Sequence, residues 1–209
     1  MASINYKNNQ KVVFLSPFKG DIFLLNKCIK NLLEEMNEID KWIIVLDNTK
    51  QKNVKNIISD KRITILQYRG KSGAGNARNF GLDYIIKENL NDFLLWPIDC
   101  DDQLINGSRS FVIKKFEDLN YSMMSFGSLL IYKKSKEKIN FYGEKKYRDL
   151  LKRYSTRCGA TIIRIGKNDI LRTLRFGERK RANDQLFFLN SAKHFEKCFF
   201  HRKIILLNF

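Results

Sequence analysis

The stretch LLWPIDCDDQL, residues 94–104, joins an apolar run to three acids within four positions, Asp99, Asp101 and Asp102. In a chain with 39 Lys and Arg against 22 Asp and Glu, such a local excess of negative charge needs a reason. The apolar run reads as a strand buried on both faces. Acids directly after it serve one of three ends: holding a hard cation, capping a helix, or closing a solvated turn. Spacing alone leaves all three open.

Upstream, the same theme repeats. Residues 11–16 (KVVFLS) form a strand stopped by Pro17, and residues 21–36 place Phe23, Ile29, Leu32, Leu33 and Met36 near helical spacing. A second strand ends at Asp47, a short helix is expected over 51–60, and a third strand over 62–68. Residues 75–90 form a helix with Ala77, Phe80, Tyr84 and Ile85 on one face, and 92–99 form the fourth strand. Strands alternating with helices, each apolar enough to be covered on both sides, predict an α/β fold with a mostly parallel central sheet flanked by helices. Pro17, Asp47 and Asp99 then all fall at the carboxyl edge, where open α/β sheets bind ligands.

Downstream the pattern is mixed. Helices are expected over 108–119, 147–154, 168–174 and 183–195, and strands over 121–134, 138–143, 159–165 and 198–209. With 209 residues, 44% of them hydrophobic, two prolines and no repeat or low-complexity linker, the chain reads as one domain. No segment has the apolar length of a signal peptide or of the roughly 20-residue membrane span. The expected location is the cytoplasm, with peripheral contact to the inner face of the plasma membrane. Cys28, Cys100, Cys158 and Cys198 are far apart without a CxxC pair, so they read as reduced thiols in the core or lining a site.

A net charge of +17 attracts anions: nucleotides, nucleic acid, acidic glycans or the anionic membrane leaflet. The basic residues are scattered through the chain and form no single-sign arm, so nucleic acid is not the expected partner. A basic binding module without catalysis is the non-enzymatic alternative, and it predicts steep salt dependence with indifference to divalent cations. Trp42 and Trp96 sit in apolar strands and read as core. Phe141, Tyr142 and Tyr147, interleaved with lysines, read as loop packing. His194 reads as solvated, and His201 as structural within the last strand.

Asp47 at its strand end suits a base edge or a ribose hydroxyl, and suits an Asx-turn with Asn48 and Thr49 equally well. Residues 70–82 (GKSGAGNARNFGL) combine a glycine loop with a helix, and Arg78 offers a planar fork for phosphate. The spacing is neither that of a P-loop nor that of a dinucleotide-binding fingerprint.

The order of these pieces is informative: a strand ending in Pro17, a strand ending in Asp47, a glycine loop with Ala77-Arg78-Asn79 and Gly81, and a strand ending in Asp99-Cys100-Asp101-Asp102. It resembles the family 2 glycosyltransferases of the GT-A fold over about residues 11–108. The resemblance implies a nucleotide-binding half, about 11–105, and an acceptor-binding half, about 106–209. It implies transfer of a sugar, with inversion, from a nucleotide-diphosphate donor, a UDP-sugar first of all, to a glycan or lipid-linked glycan hydroxyl in bacterial surface polysaccharide or lipooligosaccharide synthesis. Pro17 and Phe18 would line the base, Asp47 would accept from the uracil, Arg78 would help hold the nucleotide, Asp99 would lie near the ribose, and Cys100 would be among the donor-binding residues. Asp101 would coordinate Mn²⁺ or Mg²⁺, with Asp102 in support.

Two departures stand out. The family's P.YN is Pro17-Phe18-Lys19-Gly20 here, and the second acid of its DDGS is Asn48. An inverting transferase also needs a carboxylate to take the acceptor proton; Asp184, opening the 183–195 helix, is the candidate, although an acid there also satisfies the helix dipole. A phosphatase using Asp99 and Asp101 as nucleophile and acid is the second enzymatic reading. Three strands preceding the motif weigh against it.

Overall fold

The computed structural model describes residues 10–20, 22–49, 59–130, 143–146, 160–178 and 183–208. The helices expected over 51–60 and 147–154, the aromatic cluster Phe141, Tyr142 and Tyr147, and Cys158 lie wholly or mostly outside these residues.

Four parallel strands build the first half of the sheet: β1 (Lys11–Phe18), β2 (Lys41–Asp47), β3 (Ile63–Tyr68) and β4 (Phe93–Pro97). Val12, Val13, Phe14 and Leu15 of β1 are wholly buried, as a strand covered on both faces requires. The second half adds β5 (Gln103–Leu104), β6 (Met123–Leu130), β7 (Gly143–Lys146), β8 (Ala160–Ile165) and β9 (Lys197–Asn208). The spatial order is β3-β2-β1-β4-β8-β6-β9-β5, with β7 also on β9. Here parallel pairing is confined to β6 with β9, while β8 runs antiparallel to both β4 and β6.

Helices cover both faces. Helix α1 (Ile22–Glu35) and α3 (Ser108–Leu119) pack on one side, where Leu25, Leu32, Val112, Ile113 and Phe116 meet Phe14, Trp42 and Trp96. Helix α2 (Ala74–Lys87), a 3₁₀ turn (Asn168–Arg172) and α4 (Asn183–Phe195) pack on the other, against Val13, Leu15, Val45 and Leu95. Helix α2 comes very close to the sheet: a Cβ built on Gly81 would lie 2.4 Å from Leu15 Cδ1. Only glycine allows that approach.

Two expectations need correction. Strand β1 does not stop at Ser16 but continues through Pro17 to Phe18. Leu15 O accepts from Ile98 N on the β4 side, and pairing with β4 ends at Leu15 opposite Pro97. Pro17, two residues on, faces that same side, beyond the last β4 partner, so its missing N–H leaves no ladder bond unmade. Phe23 does not join the core face of α1 but is 73% exposed. Strand β7 begins at Gly143, and the rest of the strand expected over 138–143 lies outside the described residues.

Strand β5 has only two residues, too few for any periodicity to announce it. It is stapled by Asn31 of α1, whose Oδ1 accepts from Leu104 N (2.7 Å) and whose Nδ2 donates to Leu104 O (3.1 Å). Among the described residues, no helix is long and apolar enough to cross a membrane.

Candidate functional site

The carboxyl ends of β1, β2 and β4 open onto one cavity of about 520 Å³. Its described lining comprises Pro17, Phe18, Lys19 and Gly20 after β1, Asp47 after β2, Ser72, Gly73 and Ala74 at the start of α2, and Asp99, Cys100 and Asp101 after β4. Parallel neighbours ending in register bring these loops together: Phe18 stands opposite Leu46, and Leu15 opposite Pro97. Of the sequence-derived candidates, Pro17, Phe18, Asp47, Asp99, Cys100 and Asp101 therefore share one hollow.

Asp47 is almost fully buried and ties the glycine loop to the sheet. Its Oδ2 accepts from Ser72 Oγ (2.8 Å) and Gly73 N (2.9 Å), and its Oδ1 from Asn48 Nδ2 (3.0 Å). A carboxylate offers about four acceptor sites, so one remains, on Oδ1. Lys19 Nζ donates to the same Ser72 hydroxyl (2.9 Å), linking the loop after β1 to this cluster. Sequence reasoning missed Lys19 and Ser72. Their signal was weak: one hydroxyl within a glycine run, and one lysine among many.

Arg78 does not line the cavity. It is buried behind Asp99, whose Oδ1 accepts a hydrogen bond from Arg78 Nη2, while the Asp99 side chain stays 46% exposed. On its far side the guanidinium lies over the Phe176 ring, 5.2 Å from the centroid. The arginine fork thus holds an acid of the site rather than projecting into the hollow.

The Asp99–Asp102 segment is a turn. Asp102 N donates to Asp99 O (3.1 Å), and the buried Asp102 side chain accepts from Asp99 N through Oδ2 (3.3 Å). This is local Asx chemistry, and it leaves Asp101 exposed at the rim. Partial desolvation by the surrounding cavity walls raises the Asp101 carboxyl above its ordinary value, with the neighbouring Asp99 charge adding to the effect. Below the turn, burial pushes the Cys100 thiol well above its ordinary value, with help from Cys28 and Asp99. Burial followed by the charges of Asp102, Asp101 and Asp99 raises the Cys28 thiol to about 12. A raised thiol is a poor nucleophile, because the thiolate is the reactive form.

The described residues contain no group of three or more His, Cys, Asp or Glu able to enclose a metal ion. What the rim offers is hard carboxylate oxygen, Asp101 with Asp99 beside it, in a setting that already disfavours bare negative charge. This donor set fits a Mg²⁺ or Mn²⁺ held by one or two carboxylates and completed by substrate phosphates.

Asp184 lies in the first turn of α4, and His201 lies within β9; both side chains fall outside the described ones. His194 is exposed near the end of α4.

The model of the glycosyl transferase family 2 matches residues 17–199 of the chain. No curated protein matches it in sequence. Among solved structures, S. aureus TarS 1–349 in complex with UDP-GlcNAc is similar with a TM-score of 0.75 at 14% identity, over 95% of this chain and 58% of that one. TarS 1–349 in another crystal structure gives 0.73 at 14%, over 95% and 60%. Mannosyltransferase PcManGT from Pyrobaculum calidifontis, in complex with GDP-Man and Mn²⁺, gives 0.62 at 11%, over 96% and 58%. The chain thus spans about three fifths of the length of these solved chains. At such identities the likeness is one of fold, and it is the GT-A fold. The family model reaches from the first cavity residue, Pro17, into the last strand, and on that match the chain belongs to glycosyl transferase family 2.

Proposed function

We propose that this protein is a metal-dependent, inverting glycosyltransferase that moves a sugar from a nucleotide-diphosphate donor, a UDP-sugar, to a glycan hydroxyl in bacterial surface polysaccharide or lipooligosaccharide synthesis. The observation that carries the reading is the convergence of Pro17, Phe18, Asp47, Asp99 and Asp101 on one cavity at the sheet's carboxyl edge. Solved structures of the same fold are complexes with UDP-GlcNAc and with GDP-Man and Mn²⁺, which supports a donor of this class.

Pro17 and Phe18 form an apolar wall for the base. The free acceptor site on Asp47 Oδ1 matches the one ring N–H of a uracil edge. Asp99, held by Arg78, presents its exposed oxygen toward the ribose, with Cys100 beneath it. Among the described lining residues Lys19 is the one basic side chain, set against the acids Asp47, Asp99 and Asp101. A diphosphate entering so acidic a hollow is repelled unless a cation accompanies it. Asp101 would hold that Mn²⁺ or Mg²⁺, which when bound would neutralise the leaving diphosphate. Asp184 accepts the proton of the acceptor hydroxyl as it attacks the anomeric carbon from the side opposite the departing nucleotide. Residues 11–105 serve the donor and 106–209 the acceptor. The positive excess holds the enzyme at anionic membrane, where lipid-linked acceptors reside.

Two variants test this reading. Asp101→Ala abolishes the Mn²⁺-dependent gain in thermal stability on adding UDP, and an undiminished gain removes Asp101 from metal binding. Asp184→Asn keeps UDP binding and lowers transfer by about a hundredfold or more. Near-normal turnover in that variant means the base lies elsewhere.

A further inference from the structure

Behind the cavity, a line of stacked groups runs from the donor-side acid to the helix that carries Asp184. Asp99 pairs with Arg78, and Arg78 lies over one face of Phe176. Phe176 in turn stacks on Phe187 with centroids 4.0 Å apart and ring planes within 2° of parallel. Phe187 belongs to α4, three positions after Asp184. Less than one helical turn, about 4.5 Å along the axis, therefore separates Phe187 from Asp184 on the helix backbone.

The backbone at Phe176 is pinned on both sides by the residue next to Arg78. Asn79 Oδ1 accepts from Phe176 N (2.9 Å), and Asn79 Nδ2 donates to Phe176 O (3.1 Å). Arg175 adds a bond to Asn79 O (3.2 Å) and an ion pair with Asp83, both on α2 (2.6 Å). From α4, Asn190 Nδ2 reaches Arg175 O (3.4 Å). Phe176 and Phe187 are both nearly fully buried, at 3% and 2% exposure, so neither ring has freedom to slide.

The geometry points to Phe176 as a positioning residue that sets the helix carrying Asp184 relative to the donor-side pair Asp99–Arg78. It touches neither substrate nor cation. A parallel stack with Phe187 and a cation over the ring hold Phe176 through two neighbours, both of which need its flat π-face and neither of which an aliphatic side chain of similar volume satisfies. Transfer requires the base and the anomeric carbon in one near-attack arrangement, and a misplacement of about 1 Å there lowers rates on the order of a hundredfold. The inference rests on the proposed role of Asp184 and extends it to what holds that helix in register.

The test compares Phe176→Leu, Phe176→Tyr and Asp184→Asn, singly and combined, in steady-state transfer with a nucleotide sugar and in UDP binding. Phe176→Leu is expected to lower kcat about tenfold or more with donor KM and UDP affinity within about threefold of wild type. Phe176→Tyr, which keeps the flat ring, restores most of kcat. In the Asp184→Asn background, Phe176→Leu adds less than about twofold, because the two changes remove the same contribution. A merely structural role predicts a lower melting temperature with unchanged kcat per folded enzyme, and that result overturns the inference. An equal loss from Phe176→Leu in both backgrounds also overturns it. Failure of the base assignment is a separate outcome, visible in Asp184→Asn alone as normal turnover.

Discussion

The two edges of the sheet each carry an aspartate paired with a buried arginine, and the pairs are finished differently. At the amino edge, Asp40 accepts four hydrogen bonds: Val12 N (2.9 Å) and Arg109 Nη2 (2.9 Å) on Oδ1, Asn37 N (2.7 Å) and Arg109 Nε (2.6 Å) on Oδ2. Its side chain is 0% exposed and that of Arg109 2%, so every acceptor site is filled by protein. At the carboxyl edge, Asp99 gives one oxygen to Arg78 and keeps nearly half its side chain open to the cavity. The same chemical pair is closed upon itself in one place and left unfinished in the other. An acid with acceptor capacity turned toward a hollow is available to a ligand, whereas a saturated acid serves only the fold.

This contrast is open to measurement. Asp40→Ala leaves the Arg109 guanidinium without its counter-charge, holding only the bond to Gln10 O (3.2 Å), and takes the acceptor from the N–H groups of Val12 and Asn37, so we expect a loss of about 3–5 kcal/mol in denaturant unfolding. UDP affinity per folded molecule should not change, since Asp40 lies at the opposite edge from the cavity. Asp99→Asn should reverse the emphasis. Water in the cavity takes over part of the lost interaction, stability falls by roughly 1–3 kcal/mol, and nucleotide binding weakens more than stability does. If Asp40→Ala impaired binding directly, or if Asp99→Asn altered only the melting temperature, the division between closed and open pairs would not hold.

A third pair sets the low end of the scale. Asp60 and Arg62 lie near the surface before β3, with Asp60 Oδ2 2.7 Å from Arg62 Nη2. Hydrogen bonds from Arg62 lower the Asp60 carboxyl from 3.8 to about 2. A depressed carboxyl stabilises the fold above its unfolded value and loses that contribution as pH falls through the folded one. The stability gap between wild type and Asp60→Asn should therefore be level from neutral pH down to about 4, close between about 4 and 2, and stay under about 1 kcal/mol throughout. A gap that widened on acidification would contradict the pairing.

Much of the fold was legible in the residues. The 108–119 helix and the 183–195 helix carry strong local patterns, and both occur at those bounds as α3 and α4. The strand ends at Asp47 and near Asp99 were readable because each apolar run stops abruptly at an acid. Strand β5 was not, since two residues carry no period and its place depends on Asn31. Pro17 misled because a proline's tolerance depends on which neighbour its missing N–H would face, and that neighbour, β4, lies some 80 residues along the chain. Arg78 was read as a ligand fork on chemistry alone, although the helix turns it behind Asp99 and onto Phe176.

The sequence by itself determined the alternation of strands and helices, because hydrophobic period is a local property of the chain. It also placed acids at the ends of strands that would share an edge. Only the tertiary structure decided which acids would be saturated and which left open. Asp40 meets Arg109 across 69 positions and Asp47 meets Ser72 across 25. Such meetings depend on strand order and helix packing, where a shift of one residue turns every side chain to the other face. Partner identity is therefore a consequence of the whole assembly, and no short window of sequence contains it.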